Sequence, residues 1–247
     1  GGILHLFRAK AAAGPAAGRR SVLFGVPFLA VGATGFELSL DQTGVGAVYI
    51  AFVSALLLWG WAELAFLSGV ITGPVTCPLR PGVPEWERFL RAWGTVAYHE
   101  ILLVGMLIAL GIWAAGAVNA FGFLTFAVLF FARVSAKLNL YLGVRKINTE
   151  FLPGPLMHLP SHFRIARLNW LFPISVTGLS VAVGFWVERL WGAATPAEAV
   201  GFALLAALTA LALLEHWLMV LPLPDEKLWR WMLPAPNDKT REDAHGL

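Results

Sequence analysis

Six runs of about twenty apolar residues dominate this chain, and a run of that length is what an α-helix needs to cross the hydrocarbon core of a bilayer. They cover residues 21–38, 45–70, 93–118, 121–144, 168–187 and 197–221. In lipid each backbone N–H and C=O must find its partner inside the segment, which leaves the helix as the only form such runs can take alone. The fold class read from the sequence is therefore all-α, a polytopic membrane helix bundle with six spans. Only 13% of the 247 residues are charged while 58% are hydrophobic, against about 25% charged in an ordinary soluble domain. So few charges cannot clothe a water-soluble protein, which excludes a soluble globular enzyme and a disordered chain. A net charge of +3 is too small for a nucleic-acid footprint, so the expected partner is the lipid bilayer, with no nucleic acid. A single cysteine, Cys77, excludes an internal disulfide and a CxxC motif. The first run is the weakest, being short and holding Pro27 and three glycines. No internal repeat of the inverted-transporter kind is visible.

Loop charges set the orientation. Arg8, Lys10, Arg19 and Arg20 precede the first run, and Arg80, Arg88 and Arg91 lie between the second and third. Arg145, Lys146, Arg164 and Arg167 lie between the fourth and fifth, and Lys227, Arg230, Lys239 and Arg241 follow the last. Alternate loops thus carry fifteen of the 18 basic residues, and the opposite loops carry Arg189 with Glu37, Asp41, Glu188 and Glu198. The positive-inside rule puts both ends of this chain in the cytoplasm. The expected organisation is a basic cytoplasmic N-terminal segment over 1–20, a membrane bundle over 21–232 and a flexible tail over 233–247. Two cytoplasmic segments, 71–92 and 145–167, are long enough either to lie along the membrane surface or to serve as solvated connectors.

The informative residues are those that lipid should exclude. Span two holds Glu63, span three His99-Glu100, span four Arg133, Lys137 and Asn139, and span six Glu215-His216. Counting about 1.5 Å per residue, the ionisable groups fall roughly 7–11 Å below the cytoplasmic boundary, with Arg133 one turn deeper. An unpaired charge at a lipid-facing helix centre costs at least ~2.5–3.5 kcal/mol, so four helices carrying ionisable groups at one depth must turn them inward to neutralise one another. Arg133 and Lys137 are spaced i, i+4 and share one helix face. They can meet Glu63, Glu100 and Glu215, leaving one negative charge for a proton, a histidinium or a metal ion.

Several chemistries compete for this set. It can simply fix helix order and rotation. It can relay protons. His99, Glu100, Glu215 and His216 are the candidate metal ligands, and either histidine can serve as an axial ligand to haem or a chlorin. A di-metal site would show Glu-x-x-His on two helices, and that signature is absent from the spans, where Glu and His are sequence neighbours; Leu103 stands where His-Glu-x-x-His would need its second histidine. His158 and His162 are also i, i+4, but Pro160 between them argues against one continuous helical face. Asn148 and Glu150 read as ordinary polar residues of the cytoplasmic loop.

At these positions the sequence resembles the family called photosynthetic complex assembly protein 2, of purple-type phototrophic bacteria. The resemblance runs through Trp59-Gly60-Trp61-Ala62-Glu63 with Phe66-Leu67-Ser68-Gly69, Tyr98-His99-Glu100, Arg133 to Asn139, and Leu142-Gly143-Val144-Arg145. It continues through Asn148, Glu150-Phe151-Leu152-Pro153, Leu171-Phe172-Pro173-Ile174-Ser175-Val176-Thr177, Glu215-His216-Trp217 and Leu221-Pro222-Leu223-Pro224-Asp225. It covers about 45–232 and rests on the order and spacing of these stretches. The resemblance implies an inner, photosynthetic-membrane protein encoded with reaction-centre genes, associated with assembly of the apparatus and with bacteriochlorophyll supply. It carries over Glu63, His99, Glu100, Arg133, Lys137, Asn139, Asn148, Glu150, Glu215 and His216. It also implies a further apolar span ahead of residue 1, which would make seven.

The function expected is a membrane factor for assembly of the reaction centre and light-harvesting complex. Reaction-centre or light-harvesting subunits and pigment-synthesis proteins would be its partners, with bacteriochlorophyll, haem or a metal ion as the candidate ligands. The alternative is a membrane enzyme of tetrapyrrole or carotenoid metabolism, with a metal or haem in the same cluster and Arg133 and Lys137 holding a propionate.

Overall fold

The structure, a computed structural model, describes residues 15–145, 147 and 152–221. Asn148 and Glu150, and the basic residues before Pro15 and after Leu221, lie outside the described residues. Among the described residues seven α-helices follow one another: α1 Pro15–Leu40, α2 Val45–Leu67, α3 Glu85–Gly94, α4 Ala97–Trp113, α5 Phe121–Leu142, α6 Leu171–Trp191 and α7 Pro196–Leu218. Two short 3₁₀ turns, Gly154–Leu156 and Leu159–His162, fold the α5–α6 connection. Among the described residues the one element of β character is an isolated bridge between Val144 and Ile165. Among the described residues five helices are long and apolar enough to cross a membrane, or six if the bent pair α3 and α4 counts as one span.

The third apolar run differs from the single span read over 93–118. Its first part belongs to α3, which meets α4 at 65°. The bend falls at Thr95 and Val96, where the ladder gives way to turn bonds, and the Thr95 hydroxyl donates to the Ala92 carbonyl at 2.7 Å. The 68–84 segment folds back into this corner. Gly73 packs so close to the Gly94 carbonyl that a Cβ there would lie 2.0 Å from its oxygen. The His99 amide donates to the Thr72 carbonyl at 3.1 Å, so a loop supplies an acceptor for the opening turn of α4.

The first run, in contrast, is a continuous helix of 26 residues through Pro27. Its glycines are contact points. Gly25 and Gly32 are seven residues apart and share a face; Cβ atoms there would meet Trp61 and Leu64, and Leu57 and the Ser54 carbonyl, at 3.0–3.1 Å. Small residues let two membrane helices approach closely where no hydrophobic force draws them together. Trp61 Nε1 donates to the Val22 carbonyl across the same interface at 3.3 Å.

α1 lies along α2 and α6 along α7, while α5 sits between them and touches α2, α4, α6 and α7. The core around Phe36, Leu58, Leu103 and Phe126 joins α1, α2, α4 and α5. A second apolar cluster, Phe66 with Leu156 and Leu159, docks the α5–α6 connection onto the end of α2. We call this the loop end of the bundle.

Arg88 is the polar fastening of that end. Its guanidinium is buried, donates to the carbonyls of Tyr141 at 2.7 Å and His162 at 3.2 Å, and pairs with Glu85 at 3.2 Å. It also covers the Tyr141 ring at 4.1 Å. Glu85 reaches on to Arg164 at 2.5 Å, and that bond, with the one from Arg88, holds its carboxyl below the usual range. Arg88 therefore ties α3, the end of α5 and the connection together. Removing it strips donors from buried carbonyls, a loss of about 1–3 kcal/mol. Arg88→Met should lower the denaturation midpoint in detergent and expose 152–167 to protease while the spanning helices stay protected.

His158 and His162 are buried beneath the same connection. Burial holds both imidazoles below their ordinary value near 6.5. For His162 the nearby His158, Arg88 and Arg91 push the same way, against a hydrogen bond to the Cys77 carbonyl. Both rings are thus neutral when docked, and the opened segment takes up protons first. Docking is at full strength above about pH 6.5 and weakens as pH falls through the lowered values. Hydrogen exchange, corrected for intrinsic rates, should report more frequent opening of 156–166 at pH 5 than at pH 7.5.

Candidate functional site

Near the loop end, three helices bring polar side chains together around Phe66. Arg133 on α5 donates to Glu63 Oε2 on α2 at 2.8 Å. One turn further along α5, Lys137 pairs with Glu100 Oε1 on α4. The ring of Phe66 lies beneath both cations, 5.9 Å from the Arg133 guanidinium and 5.4 Å from Lys137 Nζ. The His99 ring packs against the same aromatic, with centroids 4.5 Å apart, and its Nε2 stands 3.6 Å from Glu63 Oε1. The i, i+4 spacing on α5 places two cations on one face, and α2 and α4 each answer with one carboxylate.

Sequence neighbours on a helix diverge by about 100°, and this separates the two Glu-His pairs. On α4, Glu100 turns toward Lys137, while His99 is fully buried against Phe66. On α7, Glu215 is exposed, whereas His216 is fully buried. His216 Nδ1 lies 2.8 Å from the Ala212 carbonyl, which can only accept, so that nitrogen carries the proton. The ring's Nε2 lies within hydrogen-bond distance of the Ser135 hydroxyl, at 2.9 Å. Both imidazole nitrogens of His216 are engaged. The candidate metal set His99, Glu100, Glu215 and His216 therefore does not converge, and among the described residues no three His, Cys, Asp or Glu side chains group to hold a metal.

Asn139 lies apart from the ion pairs. Its amide donates to the Ser135 carbonyl and to the Ser175 hydroxyl, both at 2.9 Å, which fastens α5 to α6. Asn169 extends this seam, donating to the Gly143 carbonyl at 2.7 Å while its Oδ1 accepts the amides of Leu171 and Phe172 at the start of α6. An Asn just ahead of an apolar run is a readable helix-start signal. Ser135 carried none, because its role depends on a helix far away in sequence.

The ion-pair layer forms one wall of a cavity of about 690 Å³, within the ~300–1,000 Å³ of small-molecule sites. Its apolar walls come from Phe66, Trp93, Val104, Phe130, Leu156 and Phe163, and its polar lining includes Glu100, Arg133, Lys137, His162 and Glu215. A smaller cavity of about 240 Å³ lies between α2, α5 and α7. Arg133, Ala136 and Glu215 line both. The arrangement suits an amphiphile whose apolar body lies among aromatics and whose polar part meets the charged layer.

Residues 1–240 match the family described as a protein of unknown function, DUF3623. The chain belongs to this family. It is 54% identical over 238 residues to an uncharacterized 30.4 kDa protein in the puhA 5′ region of Rhodobacter capsulatus, covering 96% of this chain and 87% of that relative. No solved structure matches it significantly.

Breaking one buried pair should cost more than removing both partners, because the survivor is left charged and alone. Lys137→Met is expected to destabilise the bundle by about 3–5 kcal/mol, and Lys137→Met with Glu100→Leu by much less. Denaturation in lipid nanodiscs measures both.

Proposed function

We propose that this chain is an integral membrane factor for assembly of the bacterial photosynthetic apparatus, serving the reaction centre and light-harvesting complex and the supply of bacteriochlorophyll. The single observation that carries the reading is the amphiphilic cavity at the loop end, an apolar chamber at membrane depth with a charged wall. A factor that hands a pigment to a nascent subunit needs a place that shields an apolar ring yet holds its polar rim. Aromatic walls with donors on Arg133 and Lys137 provide that chemistry. The relative named for the puhA region of a phototroph supports the same reading, as does the resemblance through Glu63, His99-Glu100, Arg133 to Asn139 and Glu215-His216. On this reading the loop end faces the cytoplasm, a side that the basic loops support, and the protein resides in the inner, photosynthetic membrane. Reaction-centre or light-harvesting subunits and pigment-synthesis proteins are its partners.

The enzyme alternative, with haem on a buried histidine, draws less support from the geometry. His99 does not line the cavity and His216 has both nitrogens engaged.

The test is purification of the tagged full chain from a purple bacterium growing phototrophically. Bacteriochlorophyll, with reaction-centre subunits or pigment-synthesis enzymes, should co-purify. Ala136→Phe, which fills the junction of the two cavities, should lose the pigment while keeping the protein's level in the membrane. Recovery of none of these partners would overturn the reading.

A further inference from the structure

Among the described residues the charges around the large cavity do not balance, and the imbalance specifies what the cavity takes. Glu63 is spent on Arg133 and Glu100 on Lys137, which gives two neutral couples. Glu215 lines the same space and the smaller cavity beside it, is an exposed residue, and makes no hydrogen bond or ion pair with any described residue. A carboxylate at this depth of a membrane protein is costly unless something of opposite character faces it. An anionic head would add a second negative charge to a wall whose two cations already have partners. An uncharged head would leave the carboxylate as it stands. Only an electropositive centre completes the wall.

Taking the cavity to be a ligand site, as proposed above, we infer that it receives an apolar molecule with one electropositive centre, and that the Glu215 carboxylate holds that centre. Two sources present this chemistry to a carboxylate: a metal chelated in an apolar ring, and the ammonium of an amphiphile. Hard divalent ions favour oxygen ligands, and neither His99, buried away from the cavity, nor His216, with both nitrogens engaged, competes with Glu215 for the position. The site lies at the junction of the two cavities, so an apolar body extends among Phe66, Phe130 and Phe163 while its centre sits beside α7.

The experiment uses the purified full chain in nanodiscs of neutral lipid and two matched pairs of probes. One pair is an esterified porphyrin with chelated magnesium and the same ring without metal; the other is a long-chain amine and the alcohol of equal length. The expected result is that one electropositive member binds about tenfold or more tightly than its mate, a difference of about 1.4 kcal/mol. Glu215→Gln should abolish that preference, and Glu188→Gln, at the far end of α6, should keep it. A preference within the porphyrin pair identifies a chelated metal as the centre, and one within the amine pair an ammonium. Equal binding within both pairs, or a preference that survives Glu215→Gln, overturns the inference and leaves the cavity a ligand site. Binding of no probe overturns both readings together.

Discussion

The bundle depends on the neutralisation of two cations by two carboxylates across three helices. α5 cannot place Arg133 and Lys137 at membrane depth unless α2 and α4 stand where Glu63 and Glu100 reach them. The ion pairs thereby fix the rotation of α5 about its axis and its height against both neighbours. The fastenings on its other sides, Ser135 to His216 and Asn139 to Ser175, follow from that rotation. In water such pairs would count for little. In hydrocarbon the alternative for each partner is an uncompensated charge, so the pairing acts as a constraint on which arrangements exist at all.

Much of the architecture was legible in the sequence. Apolar run lengths give the spanning helices because lipid admits only self-satisfied backbone, and the i, i+4 spacing of Arg133 and Lys137 places both on one face. The third run was harder to read, because apolar composition cannot distinguish a straight helix from two helices with a corner between them. The corner at Thr95 and Val96 depends on Gly73 and Thr72, which approach it from the preceding loop. The first run was obscured in the opposite sense. Its glycines and Pro27 suggest a weak helix, whereas Gly25 and Gly32 are the surface on which α2 rests.

The candidate site divides along the same line. Which side chains are polar and how deep they lie follows from counting residues. Which of two sequence neighbours faces a cavity does not, because it depends on the rotation of each helix. Glu100 and Glu215 line the large cavity while His99 and His216 turn into protein. Arg88 carried no distinctive signal among the basic loop residues, yet it is buried with two carbonyls and a carboxylate around it. Its importance comes from the fold of a connection more than fifty residues away.

The corner between α3 and α4 has a consequence for the surrounding lipid. α4 holds 17 residues, so it rises only about 25 Å, short of the ~30 Å hydrocarbon thickness of an average bilayer. Acyl chains beside α4 must compress to meet it, or α3 must lie as a shelf over them. Glu100, in the first turn of α4, thus lies beside this corner, where the short helix begins. The bilayer has most to adjust along this one flank, next to the helix that carries half of the buried charge pairing.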